Sequence, residues 1–201
     1  MEKGVYRVHR AVREVSPAFT LSQIGKAALS RAREEEGRAY LDLVTAQLMC
    51  ALALEAVLNH VGAKLFLEDS KRPSLWKAVE RLSPRDKALA LAEQVGLDID
   101  WGVLPFQDFQ PIFRFRNQLA HAKSMRLAVE DVPITAFDED ELLDERCVPG
   151  LQAEWEESIS LDTAERWQES TRKMADILCK AADCTSPMLL GDHMTWVGSR
   201  S

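Results

Sequence analysis

Metal-ligand spacing is missing from this chain. Its 4 cysteines, Cys50, Cys147, Cys179 and Cys184, stand in no ligand pattern, and none of the 4 histidines lies close enough to complete a site. Reduced thiols are the reading that follows. A long hydrophobic run is also lacking. The longest charge-free apolar stretch is Leu43 to Leu54, between Asp42 and Glu55, and its length falls well short of the ~20 residues that span a bilayer. Met1-Glu2-Lys3-Gly4 leads into no apolar block, so no secretory leader is expected. These absences predict a soluble cytoplasmic protein with no membrane partner and no cofactor. Sustained period-two alternation and internal repeats are lacking as well, which points to an all-α chain.

What is present suits a folded domain. Hydrophobic residues make up 46% of the 201 positions and charged residues 28%, too apolar for a disordered chain and enough to build a sizeable core. The net charge of -7 is unevenly spread. Between Glu130 and Asp162 there are twelve acidic residues and one basic one, Arg146, giving -11 there and leaving +4 on the remainder. The rest of the chain can therefore still attract a polyanion.

Along the chain, residues 1–38 read as an arm followed by a first helix. Thr20 or Ser22 caps that helix, which runs through Arg31–Arg38. From Ala39 to about Phe66 apolar residues occupy nearly every face, the pattern of a buried central helix. Ser74–Leu82 gives a short helix. Ser83-Pro84-Arg85-Asp86 then starts another, as a cap followed by Pro at the first helical position, and Gly96 ends it. Asp108 is the expected cap of a helix over Phe109–Lys123, with Pro111 in its first turn. Residues 127–160 read as a long acidic insertion. A last helix begins at Ser160 or Asp162 and ends near Ala182, with Trp167, Met174, Ile177 and Leu178 as its stripe. The helical domain is thus 39–182, and 183–201 is a tail.

The helix over Phe109–Lys123 carries the informative residues. At 100° per residue, Phe109, Ile112, Phe113, Leu119 and Ala120 form one apolar stripe, with Arg116 near its centre. Asn117 and His121, four apart, are neighbours on one flank with Arg114 beside them. A guanidinium among Phe and Leu side chains needs an anion. That anion is either an internal carboxylate, for which Glu55 is the candidate, or a bound phosphate. Arg116 and His121 lie five positions apart, roughly 140° around a straight helix. One helix does not close both onto a single phosphate. Two copies meeting across a two-fold axis would, as would a helix that ends near His121 and lets the imidazole swing round.

Arg116-Asn117, with His121 four residues after the Asn, aromatic residues before and Lys123 after, resembles the signature of the HEPN (higher eukaryotes and prokaryotes nucleotide-binding) superfamily. The resemblance extends to Ala53–Asn59 on the apolar helix, to Ser83–Lys87, and to the helix from Asp162, covering about residues 39–126 and 160–182. It implies a helical bundle dimerising through the motif helices, and a metal-independent ribonuclease of the kind found in toxin and defence systems. In that picture His121 moves protons as the RNA 2′-hydroxyl attacks the adjacent phosphate. Arg116 steadies charge on the phosphoryl oxygens, and Asn117 orients the His or the phosphate. Arg114, Lys123 and Arg126 hold the RNA backbone. Some toxin members carry a Tyr shortly after the His, which a partner nucleotidyltransferase modifies. Here Ala122-Lys123-Ser124-Met125 follows, and the only tyrosines are Tyr6 and Tyr40, which counts against that form of regulation.

Other readings stay open. The same fold serves as a non-catalytic interaction module using the motif for dimerisation, or as a nucleotide-binding accessory subunit, with a protein partner or antitoxin bound to it. Asn59 and His60 read as packing or a polar patch, and Phe106, Phe109 and Phe113 as core or dimer-interface residues. Trp155, Trp167 and Trp196 are assigned to packing or partner contact. The acidic insertion is a solvated loop, a docking surface for a basic partner, or a strap across the cations of the motif helix.

Overall fold

The computed structural model describes residues 6–15, 17–34, 39–121, 153–189 and 193–200. Cys147, Lys123, Arg126 and most of the acidic insertion lie outside them. Among the described residues the body is all-α, built from six α-helices: α1 (Pro17–Glu34), α2 (Ala39–Ala63), α3 (Pro73–Val79), α4 (Pro84–Val95), α5 (Phe109–Ala120) and α6 (Leu161–Ala181).

Helix α2 occupies the middle because it has no polar face to give to water. Leu54, Val57 and Leu58 are 0% exposed, and burying each such side chain contributes ~1.5–3 kcal/mol. Helices α1, α4, α5 and α6 all pack against it. The segment Ala39–Asp69 is long and apolar enough to cross a bilayer, but half of its most apolar window is covered by the protein itself. This is the burial of a core helix. The all-helical path continues into a π-helical turn, Lys64–Asp69, before the chain reverses.

Where start and stop signals are local, the structure follows them. Ser83 Oγ accepts the Asp86 N–H at 3.2 Å with Pro84 at the first helical position, and Gly96, at φ 68°, closes α4 in the left-handed conformation. Ser160 likewise caps α6, accepting from Thr163 N at 3.1 Å. Two expected caps are corrected. Helix α1 begins at Pro17, ahead of Thr20, and Ser22 is buried inside it, because Pro is well suited to a first helical position. Asp108 ends a 3-10 turn and makes no cap bond. Its buried carboxylate instead accepts Ser170 Oγ at 2.7 Å and meets Arg166 Nε at 3.2 Å, tying the start of α5 to α6.

The two chain ends also differ from expectation. Helix α1 is part of the bundle, with Ala28, Leu29 and Ala32 packed on Leu43, Ala46 and Ala164. The arm and tail pair as an antiparallel ribbon, β1 (Tyr6–Glu14) with β2 (His193–Arg200), Tyr6 opposite Arg200 and Glu14 opposite His193. A bulge between Val8 and Arg10 shifts the register, so the alternation along β1 is interrupted. The ends read from sequence as an arm and a tail thus form a two-stranded ribbon beside an all-α body. The end of the acidic insertion is also structured. Ala153 is buried, a 3-10 turn spans Glu156–Ser158, and Gln47 Nε2 of α2 donates to Ser158 O at 2.7 Å.

At the far end of α2, Trp76 of α3 stacks on Phe66, with ring centroids 6.2 Å apart, and lies directly on Gly62. A Cβ at position 62 would run into the indole, so Gly62→Ala should cost about 1–3 kcal/mol, as overpacking does. Urea unfolding measures it. Unchanged stability would mean that Trp76 is not seated there.

Candidate functional site on helix α5

Helix α5 is anchored on two sides. Phe109, Ile112 and Phe113 enter the core, with Phe109 packed edge-on to Trp101 at 5.2 Å and tilted against Phe113 at 4.8 Å. Phe115, outside the expected stripe, is buried as well, against Trp155 at 6.5 Å and Trp167 of α6 at 5.7 Å. The expected stripe ends early, since Leu119 is only half-buried and Ala120 is exposed. The helix stops at Ala120, short of Lys123.

This seating fixes where the motif points. Arg116 faces α2, and its Nη2 donates to Glu55 Oε2 at 2.7 Å. Its guanidinium lies over the Phe113 ring at 5.6 Å, and its Nε is buried without a partner. Its side chain keeps 20% exposure and that of Glu55 33%. The internal carboxylate is therefore the anion that the buried guanidinium needs. Beside the pair lies a residue that the sequence reading did not single out. Lys87 of α4 is 2% exposed and donates to Asn59 Oδ1 at 2.6 Å. Burial pushes its ammonium below the usual lysine range, and the nearby charges of Glu55 and Glu80 partly offset this. The signal was available. Glu55 and Asn59 are four apart on an otherwise apolar helix, so they share a face and both demand polar partners.

Asn117 and His121 point elsewhere. Both are exposed, and the His121 N–H donates to Asn117 O at 3.0 Å as the last bond of α5. They line an open concavity of about 1020 Å³ together with Arg85, Arg114 and Gln118. Arg116 is not among its lining residues, as the 140° separation requires. Across the concavity stands Glu154, from the end of the acidic insertion. Its carboxylate holds Arg114 in an ion pair and accepts Gln118 Nε2 at 3.1 Å. Arg85, on the other wall, rests its guanidinium 5.3 Å over Trp101. No group of three or more His, Cys, Asp or Glu side chains suited to a metal occurs among the described residues. The expected site thus divides into an inward cation locked on Glu55 and an outward polar flank of Arg114, Asn117 and His121.

Removing either partner of a largely buried pair strands the other. Glu55→Ala and Arg116→Ala should each destabilise the fold by about 1–3 kcal/mol, discounted from a fully buried pair for their partial exposure. A double-mutant cycle in urea should return a coupling near 1 kcal/mol; strictly additive effects would mean that the two do not interact in solution. No family model, curated protein or solved structure matches this chain, so its site is read from its own residues.

Proposed function

We propose that this protein is a metal-independent endoribonuclease of the HEPN type, acting in the cytoplasm as a homodimer through the α5 region. The observation that carries the reading is the open concavity on α5, where His121, Asn117 and Arg114 stand exposed along one edge. An exposed imidazole beside an amide and a guanidinium suits proton transfer at a bound phosphodiester. In the proposed reaction His121 takes the proton of the RNA 2′-hydroxyl as that oxygen attacks phosphorus. The bond to the 5′ oxygen breaks, and a protonated imidazole, that of the second copy in the dimer, returns a proton to the leaving oxygen. A 2′,3′-cyclic phosphate and a 5′-hydroxyl result. Arg116 sits behind this edge with part of its guanidinium still open, and a second copy across a two-fold axis would bring it opposite His121. A toxin or defence setting is the biological context the reading suggests.

One observation favours the second reading, a non-catalytic helical module. Arg116 already has its anion in Glu55. His121→Ala separates the two readings, since His121 is exposed and its loss should leave stability within about 0.5 kcal/mol of wild type. The ribonuclease reading requires cleavage of RNA in excess chelator, cyclic phosphate ends, and loss of that activity in His121→Ala. A folded wild-type protein that cuts no cellular RNA would leave the module reading in its place.

Glu154 adds a restraint. Its hold on Arg114 and Gln118 places a carboxylate where a phosphate would bind. Glu154→Gln should tighten RNA binding about two- to fivefold at low salt, the scale of an exposed ion pair, with the gain fading as salt rises. Filter binding or fluorescence anisotropy with a labelled RNA reads it. Equal affinities at low salt would end the idea that the insertion competes with RNA.

A further inference from the structure

A second cavity lies away from α5, among α1, α2 and α6. Its volume is about 240 Å³, roughly eight times the ~30 Å³ share of one water. Leu21, Leu29, Ala46, Met49, Ala53 and Met188 give it apolar walls. The charged residues that line it, among them Arg33, Glu165, Glu169 and Arg172, are exposed or half-exposed and so stand at its mouth. They are paired there, Arg33 with Glu165 at 2.7 Å and Arg172 with Glu169 at 2.8 Å.

Inside, two polar groups of α6 are unsatisfied. Gln168 Nε2 and Thr171 Oγ1 are buried, line the cavity and have no hydrogen-bond partner. Thr171 is 2% exposed, and its hydroxyl lies beside the Cys50 thiol, a weak partner at best. That thiol donates to Ala46 O at 3.3 Å, and burial pushes its pKa up to about 12, so it remains a neutral group of the cavity floor. Spaced three apart, Gln168 and Thr171 share one face of α6. Gly25 of α1 matters here, because a Cβ at that position would stand 3.4 Å from Gln168 Nε2 and 3.1 Å from Met49 Cβ. The missing side chain leaves room beside the amide. Unpaired polar atoms are rare in folded interiors, and a site holding two on one wall calls for a ligand or ordered water to meet them.

We infer that this cavity is a binding site for a small neutral molecule with an apolar body and an amide-type edge, which pairs with Gln168 and Thr171. The ligand's carbonyl would accept from Gln168 Nε2, and its N–H would donate to Thr171 Oγ1. The apolar walls select against a net charge on the ligand. The inference is independent of any ribonuclease activity, since no residue of the α5 concavity lines this cavity.

Benzamide is the probe, with toluene as the same body lacking the amide. Titrated into the full chain and followed by NMR shifts of the backbone amides, benzamide should saturate signals of α1, α2 and α6, with a dissociation constant on the order of 1 mM. Toluene should bind at least tenfold more weakly, as should benzamide to Gln168→Leu or Thr171→Val. Thr171→Val keeps the side-chain shape, so it serves if Gln168→Leu fails to fold. Absence of saturable shifts in those helices, or benzamide affinity unchanged in a folded variant, would overturn the site and leave a cavity that holds only water.

Discussion

Helix α2 is apolar on every side, and most of the structure is arranged to cover it. A helix of that kind in water exposes too much hydrocarbon to persist alone, so its neighbours are fixed by the need to shield it. Helices α1, α4, α5 and α6 do so. The polar exceptions on α2 then dictate detail. Glu55 needs a cation and takes Arg116 from α5. Asn59 accepts from Lys87 of α4, and Gln47 donates to the carbonyl of Ser158. Each bond fixes the rotation of a neighbouring helix against the core, because leaving a buried polar group unpaired costs about 1–3 kcal/mol. The orientation of α5, and with it the exposure of Asn117 and His121, follows from the packing of Phe109, Ile112, Phe113 and Phe115 together with the Glu55–Arg116 bond.

Much of this was legible where the determinants are local in sequence. The cap Ser83-Pro84, the left-handed stop at Gly96 and the cap at Ser160 are set by residues within a turn of where they act. The burial of Ala39–Ala63 follows from composition alone. The inward placement of Arg116 and its separation from His121 follow from helical geometry, and Glu55 was the one carboxylate stranded in an apolar helix. Distant partners hid the rest. Asp108 reads as a cap until Ser170 and Arg166, far along the chain, take its carboxylate. Phe115 lies off the main stripe and is buried because Trp155 and Trp167 approach from a second side. Lys87 is buried because Asn59, on a helix 28 positions away in sequence, supplies its acceptor.

The division of the motif sharpens what catalysis on this scaffold requires. An arginine tied to an internal carboxylate is held in one place, and a pre-positioned cation needs little reorganisation when charge develops beside it. The same tie lowers the positive charge it offers to a phosphate. Whether Arg116 serves chemistry or only architecture thus turns on how much of the guanidinium stays free once Glu55 has taken Nη2. With Nε buried and the Phe113 ring beneath the guanidinium, only its exposed remainder is left for that role.

The ribbon of β1 and β2 has a kinetic meaning. Tyr6 lies opposite Arg200, so this pairing joins segments separated by nearly the whole sequence. Contacts of such range carry the largest loop-closure entropy and form slowly when nothing has yet drawn the ends together. The helices between them, rich in local contacts, are able to assemble first and bring the two strands within reach. On a ribosome, β1 emerges before the entire helical body and β2 after it. The early strand must therefore wait, with its backbone donors and acceptors unpaired, until the rest of the bundle has been made. A strand waiting in that state is open to any other unpaired edge nearby, and the speed of helical assembly sets how long the exposure lasts.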